Sequence, residues 1–384
     1  MDRDSCLYSL YGELSKFLHG NTAGAVARFV TAMVAAGTAR TWWIAEVIAE
    51  KSGVTFESGL QAVRRLLGRS QLDPWRLGRW LLEKVSAPGR LVAFAIDWTE
   101  WHPPKRVLVG AAMVGKRAIP IAVAAFPRDD MPRSQNAREN TFLRMVKDLA
   151  SRADRRLVIL TDRGFRRVSW IALLQTIGLD FVSRLMTDVL AHRDGGSVPL
   201  SAVPLRPGEK IDLGLVRLRE DQAVEVRVVG IWAAGQKEPW WLATSLDVAV
   251  GVVASFYDRR MGVEEQFRDT KGSRYGMAIF WGALKKAECI ERIFLLSGVT
   301  LMIWTLIGIE EAERDRTARF PHKRKGPRRS YATIGRAKAA TVAIRVSLDR
   351  TESRLPPAEL RNLGLTLLAV SPVFAVPAEL EVRK

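Results

Sequence analysis

Residues 91–126 read LVAFAIDWTEWHPPKRVLVGAAMVGKRAIPIAVAAF. Three short, β-favouring apolar runs stand out: Leu91 to Ile96, Val107 to Val114 and Ile119 to Phe126. Links holding Pro103-Pro104 and Gly115-Lys116 separate them. Short apolar runs punctuated by turn-forming residues predict an antiparallel meander. Asp97 closes the first run, and an acid there is costly to bury unless it is paired or bound to metal.

Downstream, Phe142, Met145, Val146 and Leu149 recur at helical spacing and predict an amphipathic helix over about 138–153. A strand at Leu157 to Leu160, a helix around 168–177 and a strand near 181–185 follow. A meander and then alternating helices and strands imply an α/β fold, a mixed sheet with helices on both faces. That order is the order of an RNase H-like domain. Residues 187–247 interrupt it with β-favouring runs such as Val224 to Ile231 and Trp240 to Ala243, and are expected to form a β-rich insertion. Helical pattern resumes at about 248, so 90–186 and 248–310 make up the expected RNase H-like domain.

Upstream, residues 1–85 read as helical. Trp43 to Lys51, then Ser52-Gly53-Val54, then Thr55 to Gly68 resemble a helix–turn–helix whose second helix starts at a Thr55 cap and carries Arg64 and Arg65. A DNA-reading helix and a plain hairpin with a solvated basic face both fit this pattern. At the other end, 311–384 is a basic region with His322 to Lys325 and Arg328-Arg329, either solvated or in contact with phosphate.

The charge balance narrows the partner. With 59 Lys and Arg against 41 acids the chain carries +18, which attracts nucleic acid or an anionic membrane surface. A hydrophobic share of 48% excludes a disordered chain. Cys6 and Cys289 lie far apart and the four histidines are scattered, so neither structural zinc nor disulfides are expected, in keeping with a reducing cytoplasm. The N-terminus has no apolar signal segment, so secretion is not expected. The apolar run from Ile293 to Ile309, closely flanked by Glu291, Arg292, Glu310 and Glu311, is expected to be a buried core helix, with no membrane partner.

Two further features carry chemistry. Asp162 ends the fourth predicted strand, in Thr161-Asp162-Arg163-Gly164-Phe165, as Asp97 ends the first. Each alone reads more readily as an ordinary strand-end acid capping a turn or helix; the matched pair is less easily explained that way. Tyr257, Arg260, Glu264 and Lys271 are spaced by 3, 4 and 7 residues, which on one helix returns to nearly one azimuth. Such a stripe is often a surface salt-bridge face, but this one lies downstream of two candidate metal aspartates. Three converging carboxylates suit hard divalent cations, and two such ions can drive in-line displacement at phosphorus.

The Tyr-(2)-Arg-(3)-Glu-(6)-Lys spacing resembles the YREK signature of bacterial insertion-sequence DDE transposases. Asp97-Trp98-Thr99 and Asp162-Arg163-Gly164-Phe165 resemble the surroundings of that family's two aspartates, and the resemblance covers roughly residues 90–310. It implies that Asp97, Asp162 and Glu264 are catalytic and ligate two Mg2+ or Mn2+ ions, while Tyr257, Arg260 and Lys271 hold DNA phosphates. It also implies that Trp240, with Trp241 adjacent, stacks on a flipped base, and that Arg163 contacts DNA or pairs with a carboxylate. The expected partners are double-stranded DNA, as transposon ends and target, and a second copy of the chain in a synaptic homodimer. The C-terminal region is a candidate for that dimerisation, and the setting is the bacterial cytoplasm, at the nucleoid. The expected activity is cut-and-paste transposition at terminal inverted repeats. A structure-specific nuclease without strand transfer and a domesticated binder that no longer cuts are the alternatives, and the intact acidic triad argues against the second.

Overall fold

The computed structural model describes residues 5–101, 105–114, 117–128, 131–193, 196–218, 224–272, 276–282, 284–314 and 332–339. Five helices come first: α1 (Ser5–Leu14), α2 (Gly20–Ala36), α3 (Thr41–Ser52), α4 (Phe56–Leu67) and α5 (Pro74–Val85). Gly53, at φ 66°, ends α3 in the left-handed conformation that glycine favours. The Thr55 hydroxyl then accepts the Ser58 amide and caps α4. The two helices pack so closely that a Cβ at Gly59 would lie 2.3 Å from the Ala45 carbonyl oxygen.

The meander follows as β1 (Leu91–Glu100), β2 (Lys105–Val114) and β3 (Arg117–Pro127), paired antiparallel as β1 with β2 and β2 with β3. Next come α6 (Met131–Arg152), β4 (Arg156–Thr161), α7 (Val168–Thr176) and β5 (Asp180–Arg184), with β4 parallel to both β1 and β5. The expected start of α6 near residue 138 was late, because its first turns carry no apolar stripe to mark them. The order β3-β2-β1-β4-β5 is compatible with an RNase H-like domain.

The β-rich stretch supplies β6 (Leu190–Arg193), β7 (Gly196–Pro199), β8 (Lys210–Leu218), β9 (Val224–Ile231) and β10 (Trp240–Thr244). These strands continue the central sheet, since β10 pairs antiparallel with β5 and with β9. One ten-stranded sheet results. The chain then forms α8 (Val250–Arg259), α9 (Met261–Lys271) and α10 (Ala287–Arg314).

By length and composition Ala287–Gly308 of α10 could cross a membrane, but 94% of its most apolar window is buried inside the protein. It packs close to β3, where a Cβ at Gly298 would fall 2.8 Å from the Pro120 carbonyl oxygen. Buried Arg292 donates from α10 to the carbonyls of Leu67 and Leu72, binding the N-terminal helices to the core. Phe94, Phe142, Trp170, Phe181, Trp241 and Phe294 are fully buried in that core. The basic run at 322–329 and everything beyond 339 lie outside the described residues.

Candidate active site

Side chains alternate faces along a strand, so Asp97 and Thr99 leave β1 on one side and Trp98 on the other. The parallel register Phe94–Ile159 and Ala95–Leu160, carried two residues further, sets Asp97 level with Asp162. The two acids therefore share one end of adjacent strands. Asp97 is largely buried and accepts the Trp98 amide at 2.8 Å. Burial, and after it the Asp162 charge, raises its carboxyl to about 6, against the pull of Arg260. Asp162 caps a short 3-10 turn (Arg163–Phe165), accepting the Gly164 amide at 2.8 Å. A Cβ at 164 would lie 2.9 Å from that same carboxylate oxygen, so any larger residue there would have to displace the Asp162 side chain.

The Tyr257-to-Lys271 stripe is not on one continuous helix, contrary to its spacing. Tyr257 lies in α8, Glu264 and Lys271 in α9, and Arg260 at the join. There the Arg260 amide bonds the Tyr257 carbonyl and the Val263 amide bonds the Arg260 carbonyl, a local tightening to i, i+3 bonds. Gly262, a poor helix former, stands two residues further on.

Arg260 is buried and bridges two of the acids. Its guanidinium lies 3.5 Å from Asp97 Oδ2 and 2.8 Å from Glu264 Oε1. Glu264 itself is half-exposed, at 48% for the side chain. The Lys271 ammonium bonds the Thr99 hydroxyl and lies 5.3 Å and 5.1 Å from the ring centres of Phe267 and Phe280. Burial lowers its pKa from the ordinary lysine value. Tyr257 is buried beneath Trp240, their rings 4.9 Å apart at 71°, and burial raises its phenol. Its hydroxyl lies beside the Arg184 guanidinium but makes no well-aligned hydrogen bond among the described residues.

The adjacent tryptophans part ways. Trp241 is 1% exposed and fills the core, while Trp240 is half-buried on the Tyr257 side. Arg163 pairs with Glu238 at 3.0 Å, and Arg184 shares that acid at 2.8 Å. Arg64 and Arg65 are exposed on α4; Arg64 stands 3.8 Å from Glu57, and Arg65 donates to the Gln61 carbonyl. Glu139, Arg184 and Glu238 were not singled out from the sequence, and Thr99 entered only as a neighbour of Asp97. Only Glu139 had left a signal, because it precedes Phe142, Leu143 and Val146 by 3, 4 and 7 residues on the apolar stripe of α6.

Among the described residues no three His, Cys, Asp or Glu side chains close round a common point as a ready metal site. The donors nevertheless fit a hard divalent cation in kind. They are carboxylate oxygens, two of them on neighbouring strand ends, and burial and the Asp162 charge push the Asp97 carboxyl up, a strain that a bound cation would relieve. Arg260 supplies part of that charge and ties Glu264 back.

Residues 91–280 match the model of a family described as "Transposase DDE domain". The matched span starts at the first residue of β1 and takes in Asp97, Asp162 and Glu264. This similarity supports a DDE transposase, an enzyme with DNA as partner. No curated protein matches the chain.

Proposed function

We propose that the protein is an insertion-sequence transposase of the YREK group, which binds terminal inverted repeats and performs cut-and-paste cleavage and strand transfer. The observation that carries this reading is the junction of Arg260 with Asp97 and Glu264 within a span that matches a transposase DDE domain. Asp97, Asp162 and Glu264 would hold two Mg2+ or Mn2+ ions, with Glu264 giving up its bond to Arg260. When bound, the ions activate the attacking oxygen and neutralise the leaving one.

The other residues act on DNA. Arg260 and Lys271 offer cations beside the acids, and the Tyr257 hydroxyl, next to Arg184, offers a donor once Trp240 moves off it. Trp240, freed in that way, stacks on an unpaired base. Arg163 contacts DNA when it leaves Glu238, and Arg64 and Arg65 hold phosphates from α4. Two copies of the chain pair the two ends, in the bacterial cytoplasm.

The test is a plasmid carrying the element's own ends. With Mg2+ the protein should excise and join them, while Asp162→Ala should bind the ends as before and cut nothing. Cleavage retained by Asp162→Ala removes that residue from the site. Cutting without any joined product leaves a nuclease instead.

A further inference from the structure

Glu139 is buried at 1% exposure, yet its carboxylate is fully engaged. Its Oε1 accepts the Trp98 indole N–H at 2.8 Å and the Gln135 amide at 2.8 Å, and its Oε2 accepts the Arg167 guanidinium at 2.7 Å. A buried carboxylate survives only when it is paired and hydrogen-bonded, and this one is both. Its partners are the telling part. Trp98 directly follows Asp97, and Arg167 follows Asp162 by five residues at the start of α7. Strand alternation puts Trp98 on the side of β1 opposite Asp97, so Glu139 grips both segments from behind the acids.

That grip lies where the backbone holds β1 to β2 but no longer to β4. The β1–β4 pairing ends at Ala95–Leu160, two residues short of Asp97 and Asp162. Two like charges beside each other repel, and no ladder bond at their own level holds the strands to a fixed spacing. The Trp98 ring is further seated by Phe126 at 5.9 Å and by the Arg106 guanidinium at 5.0 Å. Asn140 adds a second acceptor for Arg167 at 3.3 Å.

We propose that Glu139 is a positioning residue that sets the separation of Asp97 and Asp162 by holding Trp98 and Arg167 to α6. The proposal rests on the reading of Asp97 and Asp162 as metal-binding acids. It is tested on the full chain without DNA, by titrating Mn2+ and following the free-ion electron paramagnetic resonance signal, with a melting curve of each metal-free variant alongside.

Glu139→Ala should weaken Mn2+ binding about 10–100-fold, the usual effect of losing a group that orients a metal ligand. Glu139→Gln, which keeps an acceptor for Trp98, should recover part of that loss. Trp98→Phe, which removes the indole donor and leaves the Glu139–Arg167 pair, should also weaken binding, and it carries the test if Glu139→Ala does not fold. Mn2+ affinity within about 2-fold of the parent in Glu139→Gln and Trp98→Phe, at whatever melting temperature, overturns the proposal and leaves Glu139 a folding residue. A parent chain that binds no Mn2+ overturns the metal reading itself, and this inference with it.

Discussion

Asp97 is an acid at the end of an apolar strand, and its sequence context is that of many strand-end turns. What distinguishes it is a buried setting, an aspartate beside it and a guanidinium reaching it from the far side of 160 residues of chain. Its position in β1 was legible from the apolar run before it; its dependence on Arg260 was not, because that contact spans separate elements. Lys271 gives a prediction at this scale. Removal of its charge in Lys271→Ala should reduce the salt slope of DNA binding by about one ion and weaken cleavage. An unchanged slope and rate would reduce Lys271 to a structural cation held by Thr99. The two tryptophans separate in the same way. Trp241→Ala, which empties a core site, should cost about 3–5 kcal/mol of stability in denaturant melts. Trp240→Ala should cost far less yet impair the DNA steps, and equal stability losses would contradict the division.

Elements were read best where their signal is local. The meander, β4, α7 and β5 were all foreshadowed by short apolar runs or helical periods, and the Thr55 cap of α4 lies where its sequence placed it. Features set by distant pairing escaped. Nothing in Trp240 to Thr244 says that it will pair with β5, so the sequence marked a β-rich insertion without showing that its strands extend the central sheet. The break at Arg260 escaped for a subtler reason, since one turn tightened to i, i+3 bonds leaves the 3, 4 and 7 spacing untouched in sequence. The α3–α4 pair offers a test at this scale. Gly59→Leu must force the Ala45 carbonyl away from a 2.3 Å approach, and should lower stability by about 1–3 kcal/mol. A melting curve identical to the parent's would show that the two helices do not pack as described.

Across the whole molecule, α10 is the element against which β3, α5 and α2 pack, and its Glu291 accepts the Ala125 amide from β3 at 2.9 Å. Burial raises this carboxyl above the ordinary glutamate value. A group bound more tightly to its proton when folded contributes stability that is complete below its unfolded pKa and is lost as pH rises through the folded one. Glu291→Gln keeps the acceptor and removes the ionisation. It should match the parent near about pH 4 and melt higher than the parent near about pH 7.5. A uniform loss at both pH values would show that the carboxylate's bond, and not its charge, is what matters.

The central claim is that Asp97, Asp162 and Glu264 bind metal together, and it is tested most directly by making the metal report its own position. Fe2+ substituted for Mg2+ in the full chain, with ascorbate and peroxide, generates hydroxyl radicals that cut the backbone beside the ion. Cuts should cluster near residues 97, 162 and 264, be suppressed by excess Mg2+ and be lost in Asp162→Ala. Cuts confined to other segments, or a pattern unchanged in Asp162→Ala, would contradict it.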